Sequence, residues 1–233
     1  WILMPELVSE LGWFPVSGCQ SPPIGSNPYG IEGYKTISFE VWEQLGRVPE
    51  WVAVPTCYGD GLMGVWKGWR ELRDLGVTTA APRMIAAEVF GSLEQAQRHG
   101  LQDPVEVEVA PSPAFSINTP IGTHQSLLAL RQSQGIAVST QNQDLLALQR
   151  ELAQTEGLYV EASSVVTLAA IGRLRSEGKI KPEDTVVAVL TSTGLKDPEA
   201  TARTLPPVPV IRPDVGELAR VLRETYAQEL VPR

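Results

Sequence analysis

The chain has 233 residues, enough for one large domain or for one domain with part of a second, and its 43% apolar and 20% charged residues match an ordinary globular chain with a sizeable core. Its 27 Asp and Glu outnumber 19 Lys and Arg for a formal charge of -8, and no basic stripe could neutralise a phosphate backbone, so nucleic acid is excluded as an expected partner. Apolar runs such as 168–171 and 186–190 fall far short of the roughly 20 residues a membrane-spanning helix needs, which excludes a membrane as an expected partner.

Trp1-Ile2-Leu3-Met4 is apolar but lacks the charged start and small-residue cleavage site of a secretion signal, and reads as an interior stretch. Residues 51–54 predict a buried strand, 55–61 a turn-rich loop, and 62–75 a helix in which Leu62, Val65, Trp66, Trp69, Leu72 and Leu75 recur at helical spacing. Trp66 and Trp69 therefore read as packing residues on one helix face. Residues 83–89 predict the next strand and 93–99 a helix stopped by Gly100. The stretch 107–122 shows no period, and its Pro, Ser and Asn residues read as a loop bordering a ligand. There follow a helix over 123–134, a strand over 136–139, a helix over 143–155 and a strand over 158–161. A helix over 164–177, with Ser163 or Ser164 as N-cap, leads to a nearly all-apolar strand over 185–191 suited to a sheet interior. A proline-rich connector at 206–213 precedes a final helix over 214–229, and Leu230-Val231-Pro232-Arg233 matches half of a protease site and reads as a tag remnant. The alternation of strands and amphipathic helices predicts an α/β fold, a three-layer sandwich around a mostly parallel sheet. Cys19 and Cys57 are the only cysteines and read as reduced thiols, from which a cytoplasmic location is expected. His99, with Asp103 four residues on, and His124 read as surface residues, and no metal site is expected.

Two strand-to-loop junctions could carry chemistry. Pro55-Thr56-Cys57-Tyr58-Gly59-Asp60-Gly61 follows one strand and opens a helix, where glycines let backbone N–H groups approach an anion and the helix dipole favours it. A ligand-free turn would use the same residues, and the Asp60 carboxylate argues against a dianion close to it. Cys57 lies in this candidate anion site, where helix-end amides would lower the pKa of a thiol, but a catalytic role is not expected. Thr191-Ser192-Thr193 clusters three hydroxyls after the last apolar strand. They either bond a neutral ring nitrogen or satisfy backbone groups in a turn.

Taken together, the junctions resemble those of fold-type II pyridoxal-phosphate (PLP) enzymes, and of threonine synthases in particular, within the tryptophan synthase β-like superfamily. Asn27-Pro28-Tyr29-Gly30-Ile31-Glu32-Gly33-Tyr34-Lys35-Thr36 resembles that family's Asn-Pro-aromatic-x-x-Glu-Gly-x-Lys-Thr stretch. Glu161-Ala162-Ser163-Ser164 is similar to its Glu-Pro-Ala-Ser helix start, and Thr191-Ser192-Thr193-Gly194-Leu195-Lys196-Asp197-Pro198 to its Thr-Gly-x-Gly-Leu-Lys-Asp-Pro signature. The resemblance runs from about residue 11 to residue 204. It implies PLP as cofactor, held at its phosphate by Cys57, Tyr58, Gly59, Asp60 and Gly61 and at its ring nitrogen by Thr191. It also implies that residues 1–26 end a smaller domain, that 27–229 form the large cofactor domain, and that the protein is a homodimer acting on a small amino acid.

The expected activity is that of a lyase or synthase like threonine synthase, converting O-phosphohomoserine to threonine. Ile24, Gly25 and Gly30 replace polar residues with which the family binds the substrate phosphate, so a serine or threonine ammonia-lyase is the alternative. The family's Schiff-base lysine sits in a Ser-Phe-Lys-Asp type motif that the resemblance places before Trp1. None of Lys35, Lys67, Lys179, Lys181 and Lys196 fits it, so no catalytic residue is assigned, and a catalytically incomplete PLP fold acting as a binding module is a third expectation.

Overall fold

Four short parallel strands, in the order β3-β2-β1-β4, carry the fold in the computed structural model, which describes residues 3–15, 25–140 and 144–230. They are β1 (Trp51–Pro55), β2 (Arg83–Glu88), β3 (Ile136–Ser139) and β4 (Val186–Ala188). The helices are α1 (Met4–Leu11), α2 (Pro28–Gly33), α3 (Lys35–Leu45), α4 (Asp60–Asp74), α5 (Ser92–Arg98), α6 (His124–Ser133), α7 (Leu145–Glu156), α8 (Ala162–Ser176), α9 (Pro198–Ala202) and α10 (Val215–Tyr226). Trp1, Ile2, Cys19, Ile24, Gln143 and residues 231–233, all named above, lie outside the described residues. Among those described, no helix is long and apolar enough to cross a membrane.

The chain divides into two compact units, Trp1–Pro198 and Glu199–Arg233. In the first, parallel strands with both faces covered need apolar residues on both sides, and β1 and β2 supply them. Val52, Val54, Met84 and Ala86 turn to one face, onto Leu62, Val65, Trp66 and Trp69 of α4 and Leu127 and Leu130 of α6. Trp51, Ala53, Ile85 and Ala87 turn to the other, onto Leu145 of α7 and Val166, Ala170 and Leu174 of α8. Helix, sheet and helix make the three-layer α/β sandwich that the alternation predicts. Trp66 and Trp69 lie buried on one face of α4, as their spacing requires. In the second unit, Asp214 caps α10 by accepting the Glu217 N–H at 2.8 Å, and Arg220 pairs with Glu224 one turn on.

Three local expectations are corrected. Among the described residues the apolar run after residue 185 is an edge strand, not a sheet interior: there β4 pairs with β1 alone and its residues are half-buried. An apolar run reports that both faces are covered, not that both edges are paired. Residues 158–161 form one antiparallel bridge, Val160 to Thr193, instead of a strand. Their backbone groups are taken by Gln149, which donates to the Val160 carbonyl at 2.6 Å, and by Gly194 and Ser192 in the loop after β4. The N-cap of α8 is Glu161, and Ser164 lies in the first turn with its hydroxyl committed elsewhere.

Candidate functional site

Strand order decides where a ligand can sit. From β1 the chain moves outward to β2 and β3, then returns to the opposite side of β1 as β4, so the connections diverge between β1 and β4. Open α/β sheets bind ligands at such a switch point, beyond the carboxyl ends of the strands. There a cavity of about 290 Å³ is lined by Cys57, Tyr58, Gly59, Asp60 and Gly61 after β1 and by Thr191 after β4. The six residues singled out from the sequence thus meet at one cavity, although 130 positions separate Gly61 from Thr191. Tyr34, Ile117 and Val189 supply apolar wall, and Ser116 a further hydroxyl.

The loop after β1 is held so that its backbone faces the ligand space. Gly59, the N-cap of α4, has φ +81°, and a Cβ there would collide with Ser126, lying 2.9 Å from that residue's Cβ. The hydroxyls of Thr123 and Ser126 both donate to the Tyr58 carbonyl, the latter at 3.1 Å, and so fix the turn from behind. The first-turn amides of α4 have no partners within the helix and stand at its positive end, a place for an anion. The Asp60 carboxylate accepts from the Ser26 amide at 3.0 Å, the Ser26 hydroxyl at 2.7 Å and Gln125 Nε2 at 2.7 Å. Three neutral donors therefore engage the charge that seemed to oppose an anion, and the backbone remains available.

Cys57 is corrected in direction. Burial pushes its thiol up to about 11, and the neighbouring Asp60 charge adds to the rise, so the helix-end amides do not generate a thiolate. Thr191 Oγ1 lies 3.0 Å from Ser164 Oγ, which also accepts the Thr191 amide at 3.0 Å. Among the described residues no lysine lines the cavity. Lys35 pairs with Glu32 and Glu71, Lys67 with Glu32, and Lys179 with Glu177. Lys196 donates to Ser116 at 2.9 Å and pairs with the buried Glu161. His124 meets Asp103 on the surface, and the described residues gather no group of three His, Cys, Asp or Glu that could hold a metal.

Ser26, Ser116, Gln125, Ser126 and Ser164 support the site without having been assigned to it. Ser116 had a sequence signal in the loop read as ligand-bordering, and Ser164 in the stretch that resembles the family's Glu-Pro-Ala-Ser helix start, though neither was given a role at the site. The others act through tertiary contacts that local pattern does not encode. A glycine turn that admits no side chain at Gly59, with Thr191 lining the same partly apolar cavity, fits a phosphate-bearing aromatic ring. Among the described residues the cavity holds no amine to attach it.

A sequence profile of the family described as pyridoxal-phosphate dependent enzyme matches residues 3–192. Threonine synthase of Methanocaldococcus jannaschii is 32% identical over 203 residues, covering 85% of this chain and 50% of the relative. Threonine synthase of Methanosarcina acetivorans is 35% identical over 178 residues, covering 74% and 44%. The chain therefore spans about half the length of the curated relatives it matches. Among solved structures, a fungal L-serine ammonia-lyase from Rhizomucor miehei superposes with a TM-score of 0.61 at 21% identity, over 74% of this chain and 56% of that one, a likeness of fold. The profile match over most of the chain, with the fold-type II architecture around the cavity, establishes that the chain belongs to the pyridoxal-phosphate-dependent enzymes, a family whose cofactor is pyridoxal 5'-phosphate.

Proposed function

We propose that the chain forms most of the cofactor domain, from residue 27 onward, of a PLP-dependent lyase or synthase that acts on a small amino acid in the manner of threonine synthase. One observation carries the reading: the cavity where the 57–61 backbone and the Thr191 hydroxyl meet. Bound PLP supplies an electron sink for bond breaking at the carbons of an amino-acid substrate. The amides of Gly59, Asp60 and Gly61 bind the phosphate at the positive end of α4. The Thr191 hydroxyl would face the ring nitrogen, and a neutral partner there would make the ring a weaker electron sink than an acidic one would, which suits elimination and replacement at the β or γ carbon. Tyr34, Ile117 and Val189 exclude water from the ring. The similarity to threonine synthases over 85% of the chain supports the assignment, and a homodimer is the expected assembly.

A second reading, a serine or threonine ammonia-lyase, is favoured by a specific observation. A cavity of about 350 Å³ shares Tyr34 with the first and is otherwise lined by Ser26, Gly30 and Gly33. Among the described residues it has no Arg or Lys, and of its two side-chain hydroxyls, on Ser26 and Tyr34, that of Ser26 is committed to Asp60. A substrate phosphate would find little to bind there, whereas a plain hydroxy amino acid needs no second anion site.

The test is a spectroscopic titration of the purified chain with PLP, with and without borohydride, followed by mass spectrometry. Saturable binding without a lysine adduct is expected. Failure to bind would refute the cofactor site, and a reduced adduct on one of the five lysines would overturn the assignment of none.

A further inference from the structure

We propose that Asp60 is a specificity-determining residue: its carboxylate makes the site take an amino acid whose side chain ends in an amine or a hydroxyl and turn away one that ends in a phosphate or a carboxylate. The proposal rests on the cofactor reading above and names the substrate class within it. Asp60 lines the first cavity, and Ser26, whose hydroxyl lies 2.7 Å from Asp60 Oδ2, lines the second. Tyr34 lines both, so the carboxylate stands where the two spaces adjoin. Hydrogen bonding holds its charge in place without cancelling it. Oδ1 accepts from the Ser26 amide at 3.0 Å and from Gln125 at 2.7 Å, and Oδ2 accepts from the Ser26 hydroxyl, all neutral donors. A carboxylate offers about four acceptor positions, so one, on Oδ2, is left for a ligand. Gly25 makes room for this arrangement, because at its φ of +92° a Cβ would collide with Asp60 Oδ1 and Gln125 Nε2. Among the described residues neither cavity is lined by Arg, Lys or His to offset the charge.

Ser116 points the same way by a count of its protons. An ammonium only donates and a carboxylate only accepts. The Ser116 hydrogen therefore goes to Glu161 at 2.9 Å, and one of its lone pairs is taken by Lys196, also at 2.9 Å. What Ser116 has left for the cavity it lines is a lone pair. Beyond the backbone amides that take the cofactor phosphate, Asp60 and Ser116 thus offer acceptors to a second ligand group. An ammonium or a hydroxyl can fill them. A second phosphate would meet the Asp60 charge and the cofactor's own phosphate together. Space for a side chain is present, since Gly30 and Gly33 leave their side of the second cavity bare and a Cβ at either would meet nothing closer than 3.9 Å.

The experiment uses the full chain and probes in which PLP has been reduced onto the α-nitrogen of an amino acid, so that ring, phosphate and side chain arrive together and no lysine is needed. The amino acids are 2,4-diaminobutyrate, homoserine, aspartate and O-phosphohomoserine. Calorimetric titration should show the diaminobutyrate and homoserine adducts binding about ten-fold or more tightly than the aspartate and phosphohomoserine adducts. The gap between the diaminobutyrate and aspartate adducts should shrink as salt is added. Asp60→Asn should strengthen the anionic adducts relative to the diaminobutyrate adduct, whereas loss of a merely structural group would weaken every adduct alike. If Asp60→Asn fails to fold by circular dichroism, the order of the wild-type affinities and its salt dependence replace it, and an order indifferent to salt overturns the inference. So does an aspartate or phosphohomoserine adduct bound as tightly as the diaminobutyrate adduct, or an unchanged order in a folded Asp60→Asn, while binding of the adducts leaves the cofactor site standing. Binding of none of them overturns both.

Discussion

Gly59→Ala offers the sharpest test of the phosphate cradle, because two separable effects act at one position. The residue has φ +81°, a left-handed conformation that costs an L side chain about 1–2 kcal/mol. A Cβ there also runs into Ser126, and such overpacking costs about 1–3 kcal/mol more. Gly46 is the internal control. It ends α3 at φ +64° with nothing within 4 Å of a Cβ, so Gly46→Ala should carry only the backbone part, about 1–2 kcal/mol. Urea unfolding followed by fluorescence of the buried Trp51, Trp66 and Trp69 gives both costs, and PLP titration gives affinity. Gly59→Ala should lose about 2–5 kcal/mol and most of its affinity, because relief of the clash moves the Tyr58–Gly59 turn away from Ser126. Gly46→Ala should bind normally. Equal destabilisation of the two variants would refute the collision with Ser126, and wild-type PLP affinity in Gly59→Ala would refute the cradle.

Other groups make independent predictions. Burial pushes the Glu88 carboxyl up from 4.5 to about 7, so across that interval the folded chain keeps a proton that the unfolded chain has released. Stability should fall as pH rises from 4.5 towards 7, by on the order of 3 kcal/mol, and Glu88→Gln should flatten that slope in urea midpoints measured across the range. An unchanged slope would rule Glu88 out as its source. Glu94 behaves oppositely: although burial resists it, hydrogen bonds from Ser139 and Arg173 hold its pKa below the usual value, so its contribution is present above that value and lost as pH falls through the folded pKa. Arg173→Met should cost about 1–2 kcal/mol, moderated by the partial exposure of the guanidinium, and move the acid limb of the stability profile to higher pH. Cys57, raised from 9.0 to about 11, should carry about 100-fold less thiolate near neutral pH than an ordinary cysteine. Peptide mapping after iodoacetamide should find it alkylated correspondingly slowly, and rapid alkylation would refute the burial argument.

The first junction was legible because a β-branched strand, two glycines and a helical apolar stripe follow one another within 25 residues, each with its own local signal. The second was legible as a hydroxyl cluster, and it acquired a role only through resemblance to a family block at 191–198. What the sequence withheld was lateral placement. The pattern at 186–190 reads alike for a central and an edge strand, since period and apolarity report on faces while neighbours are chosen by the whole topology. The sequence offers Ser163 or Ser164 as a helix cap, a local role, but the Ser164 hydroxyl is spent on the loop 27 residues away. The direction expected for Cys57 failed for a similar reason. The helix end is visible in sequence, whereas the burial that outweighs it comes from packing against the core cluster that contains Ile117, which only the tertiary fold assembles.

The pairing of Trp51 to Ala53 with Val186 to Ala188 gives the cavity two walls of unequal permanence. The β1 wall lies between paired strands and beneath a buried helix. Among the described residues the β4 wall hangs on a three-residue ladder to β1 alone, toward the easily opened end of the range of local stabilities. Fraying of that edge would carry Val189 and Thr191 away from the glycine turn and open the pocket while the tryptophan-filled layer behind α4 stays intact. A ligand that touched both walls would then act as a clasp on the least secure seam of the described sheet.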